Sequence, residues 1–290
     1  CLASLRRLPS LSPLAFFLLM LWTICAAAAG YIINDIEDYE IDVINKPQKM
    51  VVGKGISKAI SWRLYWGVVI FGFLTSIFCG FLIEDFSPIF IYSICIFLLY
   101  VYSKWWKKQF LIGNILIGFF CAFTAFIILL FERKYGWVSF QTWGIFNFSA
   151  QNFSILEAEK SVKMVELFLG YSCFAFFSTL FREIVKDMED MDGDAQTCRT
   201  LPIVLGKTAA KWVAFASGIL FLLYAYRFVR LQLLAQQVWQ PILFIFLIVL
   251  PWFWAFFRLF QAKEKADFTR LSAFAKIIML SGLLLLLFYI

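Results

Sequence analysis

What most limits the fold of this chain is a recurrence of long apolar runs almost without charge. They fall at residues 11–33, 62–83, 88–103, 110–131, 165–181, 212–229, 238–260 and 271–290. A helix needs about 20 such residues to cross the hydrocarbon layer of a bilayer, ~30 Å thick. In lipid every backbone N–H and C=O must find a partner within the chain, which leaves helices or a closed barrel. The run lengths match helices, so the expectation is an all-α, polytopic transmembrane bundle of eight helices, forming a single domain over 1–290. A hydrophobic content of 62% and a mean hydropathy of +0.82 agree with a membrane chain and exclude an ordinary soluble domain.

Alternation of the spans sorts the loops into two sets. One side holds five Lys and Arg at 34–63, three at 104–108, five at 182–211 and five at 258–276. The other holds two near the N-terminus, none at 84–88, four at 132–164 and two at 227–237. The richer side is expected to be cytoplasmic by the positive-inside rule. A net charge of +7 is then mostly loop charge that sets orientation, with some left for an anionic ligand, and it needs no nucleic-acid partner. No obligate protein partner is implied. The chain has no histidine, which excludes histidine bases, haem ligation and histidine metal sites. Seven cysteines form no CxxC pair, so no zinc or disulfide framework is legible. Cys25, Cys79, Cys95, Cys121 and Cys173 fall in apolar spans and read as buried free thiols.

Against this background two acidic stretches stand out. Asp35-Ile-Glu-Asp38-Tyr-Glu-Ile-Asp42 and, 152 positions later, Asp187-Met-Glu-Asp190-Met-Asp-Gly-Asp194 both reduce to D-x-x-D-x-x-x-D. If each continues a helix, the three aspartates fall at about 0°, 300° and 340° around its axis, on one narrow face. Glu37, Glu40, Glu189 and Asp192 point elsewhere and read as solvated or salt-bridged. Bringing the six aspartates together costs on the order of 2–3 kcal/mol per pair at ~6 Å and an effective dielectric of ~20. A divalent cation would offset that cost, and the topology puts both stretches on the cytoplasmic side.

The residues around these stretches carry a resemblance. Gly30-Tyr-Ile-Ile-Asn34-Asp35-Ile-Glu-Asp38-Tyr-Glu-Ile-Asp42, followed by Asn45-Lys46-Pro47, is similar to the NDxxDxxxD motif and N-[KR]-P of the UbiA superfamily of intramembrane prenyltransferases. Arg182-Glu-Ile-Val-Lys186-Asp187 through Asp194, with Thr200-Leu-Pro202 and Gly206-Lys207, resembles that family's second aspartate motif. Tyr102-Ser103, Lys107 and Gly113-Asn114 are similar to the segment joining its middle helices. Within the superfamily the second motif most resembles the digeranylgeranylglyceryl phosphate synthases and their bacterial relatives. The resemblance implies helices around a central cavity capped by both motifs. It also implies nine spans, so eight here suggest that one N-terminal helix is missing. A first residue of Cys likewise suggests a truncated chain.

The resemblance and the residue chemistry together imply Mg²⁺-dependent transfer of a polyprenyl group from an allylic diphosphate to a lipid or aromatic acceptor, within the bilayer of the cell inner membrane. The favoured acceptor is a prenylglyceryl phosphate hydroxyl; the alternative is an aromatic carbon, as in quinone biosynthesis. Asn34, Asp35, Asp38 and Asp42 are assigned to one Mg²⁺ cluster and Asp187, Asp190 and Asp194 to a second, oxygen donors suited to that ion. Asp35, Asp38, Asp187 and Asp190 are expected to be indispensable. Lys46, Lys107, Arg182, Lys186 and Lys207 are candidates to contact phosphate oxygens. Tyr100, Tyr102 and Asn114 are candidate cavity-lining residues, the last two singled out only by the resemblance, since 36 Phe and 11 Tyr make aromatic abundance uninformative.

Two other readings are weaker. An EF-hand built on Asp190-Met-Asp192-Gly193-Asp194 has its Gly at loop position 4 instead of 6 and no closing Glu. A cation transporter should carry acids inside its spans, whereas 11 of the 19 acidic residues lie in or beside the two motifs. The polar insert 132–164, with Trp137, Trp143 and Phe148, reads as an interfacial helix or loop. Pro241 and Pro251 are expected to kink the seventh span.

Overall fold

The structure, a computed structural model, describes residues 11–45, 48, 50–131, 155–195, 198–234 and 238–289. Among these, eight helices are long and apolar enough to cross a membrane, as the runs predict. They divide between two compact units, one comprising 11–113 and 190–200, the other 114–189 and 201–290.

In the first unit α1 (Pro13–Glu37) begins with Ser12, whose Oγ accepts the N–H of Ala15 at 3.2 Å, and with Pro13 at the first helical position. Ala29, Ile33 and Ile36 recur at helical spacing and pack against Val52 and Tyr65. The helix does not stop at the end of the apolar run. Asp38 interrupts it by one residue, yet the N–H of Asp38 bonds Asn34 O (2.9 Å) and that of Asp42 bonds Asp38 O (2.8 Å), so the helical path runs on into α2 (Tyr39–Asn45). α3 (Lys58–Ile83) and α4 (Ser87–Lys104) pack against α1 and each other. Tyr92 fixes their register, donating to Val69 O at 3.0 Å and meeting Trp22 edge-on at 5.9 Å.

The second unit is built from α5 (Ile112–Phe131), α6 (Ile155–Asp194), α7 (Leu201–Leu234), α8 (Trp239–Phe244), α9 (Leu250–Gln261) and α10 (Lys265–Tyr289), the outer turns of α5 and α6 excepted. Its core is aromatic: Trp252 meets Phe181 at 4.9 Å and Phe221 at 5.6 Å, and Phe215 meets Phe256 at 4.8 Å. Each such pair adds about 0.5–1.5 kcal/mol beyond the area it buries. Several hydroxyls inside the spans bond back to the preceding turn, as Thr75 does to Gly72 O and Ser178 to Phe174 O, and so demand no partner from lipid. Phe71, Phe78, Phe90, Phe97, Trp212, Leu220, Phe253 and Ile277 are each more than half exposed. That surface suits hydrocarbon, not water.

The structure departs from the sequence expectations in the fifth and seventh spans. The fifth apolar run, 165–181, is the middle of a 40-residue helix: no proline interrupts the acidic motif, and α6 runs through it to Asp194. Upstream, α6 begins at Ile155, so the end of the insert is helical; Trp137, Trp143 and Phe148 lie outside the described residues. The kink expected from Pro241 and Pro251 takes the form of a π-turn over Ile245–Val249. Pro251 has no N–H to give, and Leu250 bonds back five residues to Ile245 O. Cys25 and Cys79 are buried free thiols as expected, while Cys95, Cys121 and Cys173 are half-buried.

Candidate active site

The first motif is organised around a cation from another helix. Lys107 Nζ donates to Asn34 Oδ1 at 3.1 Å and to one carboxylate oxygen of Asp38; Asn34 Nδ2 donates to the other, Oδ2, at 2.8 Å. Asn34 and Asp38 meet because they are one turn apart on the helical path. Lys107 meets them because its 3₁₀ turn, Trp106–Lys108, folds onto the start of α5. That fold needs Gly113: a Cβ there would lie 2.6 Å from Lys107 Cα and 3.0 Å from Trp106 O. Lys107 and Asp38 are only 11% and 19% exposed, so they face each other largely out of water. Asp35 and Asp42 are half-buried and Glu40 is exposed.

The second motif lies wholly on α6, so Asp187, Asp190 and Asp194 share the one face their spacing predicts. Asp187 Oδ2 accepts Asn114 Nδ2 at 2.8 Å. Asp190 is buried and Asp192 exposed. Glu189 accepts the hydroxyl of Thr269, on α10, at 3.0 Å. Arg182 pairs with its neighbour Glu183, and its buried Nε has no hydrogen-bond partner among the described residues. Lys186 is half-buried one turn further on. Lys207 is exposed, its Nζ 5.7 Å from the ring of Phe268, and Lys46 lies outside the described residues. Beyond the motif, the N–H of Arg199 donates to Lys108 O at 2.7 Å. This bond ties the segment that leaves the second motif to the turn that carries Lys107.

The structure adds contacts that the sequence does not show. Lys107, expected on phosphate, is held by the first motif itself. Asn114, expected to line a cavity, orients an aspartate. Tyr100 packs beside the Ala29–Ile33–Tyr65 cluster and accepts Lys104 Nζ at 3.3 Å, and Tyr102 is half-buried on the same helix. Thr269 carries no signal in the sequence, being a lone hydroxyl 80 residues from Glu189.

Among the described residues no three carboxylate, thiol or imidazole groups converge as a preformed metal cage. The donors nevertheless fit Mg²⁺, which is commonly held by one or two carboxylates together with substrate phosphates and water rather than by an all-protein cage. Each motif offers carboxylates on one helix face, and the bond from Asn114 engages one oxygen of Asp187 in a way that fixes the direction of the other.

The UbiA prenyltransferase family matches this chain over residues 2–280. A digeranylgeranylglyceryl phosphate synthase of Methanobrevibacter smithii is 30% identical over 243 residues, covering 80% of this chain and 75% of that protein. One from Methanosphaera stadtmanae is 29% identical over 261 residues, covering 88% and 80%. A solved structure described as giving insight into digeranylgeranylglyceryl phosphate synthase in membranes superposes with a TM-score of 0.59 at 28% identity, covering 95% of this chain and 85% of that one. A UbiA homologue from Aeropyrum pernix, at a TM-score of 0.59 and 13% identity over 94% and 90% of the two chains, shares the fold. The chain therefore belongs to the UbiA prenyltransferase family and is an integral membrane prenyltransferase.

Proposed function

We propose that this enzyme transfers a polyprenyl group from an allylic diphosphate, of the geranylgeranyl type, to the glycerol hydroxyl of a prenylglyceryl phosphate, using Mg²⁺ at its two aspartate motifs on the cytoplasmic side of the membrane. The names of the relatives support the acceptor class. The observation that carries the reading is the bond from Arg199 N–H to Lys108 O: it joins the end of the second acidic motif to the turn whose lysine organises the first. An acidic motif serving only as a solvated surface has no need of such a brace.

In the reaction the bond between the allylic C1 and the diphosphate oxygen breaks, a C1–O bond to the glycerol forms, and the hydroxyl proton and diphosphate leave. Bound Mg²⁺ would neutralise charge developing on the departing diphosphate. Asn34, Asp35, Asp38 and Asp42 would hold one ion, and Asp187, Asp190 and Asp194 another. Asn114 orients Asp187. Lys107 keeps Asp38 and Asn34 aligned and adds a positive charge beside the headgroup. Arg182 and Lys186, one turn apart on α6, meet phosphate oxygens, with Lys46 and Lys207 as outer contacts. The apolar spans keep water from the allylic cation, and aromatic faces such as those of Tyr100 and Tyr102 favour it.

The test is diphosphate release from radiolabelled geranylgeranyl diphosphate by the protein in nanodiscs, with and without Mg²⁺. A prenylglyceryl phosphate and 1,4-dihydroxy-2-naphthoate are offered separately. Mg²⁺-dependent transfer to the glycerol compound is expected. Transfer to the naphthoate alone would move the enzyme to the aromatic branch, and no release with either acceptor, in folded protein, would defeat the proposal.

A further inference from the structure

The connection between the last two spans holds a polar pocket outside both aspartate motifs. Its volume is about 310 Å³, and Trp254, Arg258, Gln261, Asp267, Arg270 and Leu271 line it. At ~30 Å³ per water that is room for roughly ten waters, ample for a phosphate ester. Arg258, in the last turn of α9, holds its guanidinium 5.6 Å from the ring of Trp254, and Trp254 rests on Phe274 at 4.2 Å. Arg270 enters from the second turn of α10. Among the described residues neither arginine makes an ion pair. The pocket's carboxylate, Asp267, is turned to the start of α10, where its Oδ2 accepts the N–H groups of Lys263 (3.0 Å) and Glu264 (3.2 Å).

The frame around these groups is fixed from α7. Lys211 Nζ donates to Ala262 O and, at 3.4 Å, to Phe260 O, closing the end of α9. Lys211 and Lys207 both lie over the ring of Phe268, at 5.8 and 5.7 Å. A braced loop gives its ligand a preorganised site. Two guanidinium forks match phosphate geometry. Trp254 stands two turns inside the end of its span, toward the headgroup level where tryptophans gather and where basic pockets between membrane helices recognise lipid phosphates. The lining residues carry one net positive charge, which a phosphodiester neutralises.

We propose that this pocket binds the phosphate of a glycerolipid headgroup at the membrane surface. The site goes beyond the prenyl-transfer reading and stands whichever acceptor the enzyme uses. The lipid phosphate comes either from a bulk phospholipid or from a phosphorylated acceptor, and the experiment separates the two.

The whole chain in a sugar-headgroup detergent is titrated with dioleoyl phosphatidylglycerol, and with dioleoylglycerol as the phosphate-free control, and bound lipid is read by native mass spectrometry without prenyl donor or metal. Arg258→Gln and Arg270→Gln should each weaken phosphatidylglycerol binding about tenfold or more, the loss expected of a charge-assisted contact. Lys276→Gln, an exposed lysine on the same helix outside the pocket, should not, and dioleoylglycerol binding should be unchanged throughout. If Arg258→Gln fails to fold, Arg258→Lys keeps the charge without the fork and should bind with intermediate affinity. Displacement of phosphatidylglycerol by a prenylglyceryl phosphate, with a raised acceptor KM and unchanged kcat in the arginine variants, assigns the pocket to the acceptor. No displacement assigns it to bulk phospholipid. Equal phosphatidylglycerol affinity in wild type and both arginine variants would overturn the proposal. Because binding is read without turnover, a failure of prenyl transfer leaves this result intact.

Discussion

At the residue scale the aspartates and their partners make separable demands. Asp38→Asn and Asp187→Asn keep size and hydrogen-bonding shape but remove the charge a cation needs. Each should lower kcat/KM by about 10²–10³ or more, the scale of losing one preorganised electrostatic contact. Glu40→Ala and Asp192→Ala, both exposed, should stay within a few-fold of wild type. Steady-state assays at saturating Mg²⁺ with matched thermal melts decide it, and equal losses in all four variants would remove the distinction drawn from helical phase. Lys107→Met makes a sharper prediction. It leaves Asp38 with a largely buried charge and no paired cation among the described residues, which typically costs 3–5 kcal/mol. Mg²⁺ should restore up to about 2.7 kcal/mol when present at ~100 times its Kd. The variant should therefore melt well below wild type in EDTA and recover on adding Mg²⁺, whereas wild type should respond less. A melting point as insensitive to Mg²⁺ as that of wild type would argue against metal at the first motif.

At the element scale the helix junctions set the site, and they are where sequence reading was weakest. The apolar runs marked all eight spans, because hydrocarbon imposes its length on each helix independently of its neighbours. The runs could not show that α1 and α6 continue past the membrane into the motifs, since helicity there rests on backbone bonds such as Asp42 N–H to Asp38 O and not on hydrophobicity. Nor could they show the break at Gly206, whose φ of 82° and ψ of 163° stop a helix that composition alone would continue. The candidate metal ligands were legible from D-x-x-D-x-x-x-D periodicity. Their partners were not, because Lys107 reaches Asp38 across 69 positions and Asn114 reaches Asp187 across 73. Gly113 governs the first of these contacts, because it gives room to the turn that carries Lys107. Gly113→Ala forces its Cβ onto Lys107 Cα, and backbone at that distance cannot yield as a flexible side chain does. The variant should lose activity about as Lys107→Met does, and a Gly113→Ala enzyme with wild-type kcat/KM would show that the turn is not what places the lysine.

At the scale of the whole molecule, orientation in the bilayer is what converts two acidic motifs into one enzyme's chemistry. On the proposed reading, an allylic diphosphate has a charged head that meets Mg²⁺ in water and a tail that stays in hydrocarbon, which requires both motifs to open to the same aqueous side. Among the described residues four spans, α1, α3, α4 and α5, precede α6, so alternation through the bilayer predicts that α1 and α6 cross in the same direction, each ending in a motif. By the positive-inside rule the distribution of Lys and Arg predicts that this side is the cytoplasmic one. Single cysteines placed at Glu40, Asp192 and Trp239, all exposed positions, in a chain whose seven native cysteines are replaced by serine or alanine, read the arrangement directly. In intact cells a membrane-impermeant maleimide should label Glu40→Cys and Asp192→Cys only after permeabilisation and Trp239→Cys before it. Labelling of the two motif positions from opposite sides would break the parity argument and with it any shared handling of one diphosphate. Labelling of both from outside would keep the shared chemistry but reverse its side, leaving the diphosphate to be supplied from the exterior.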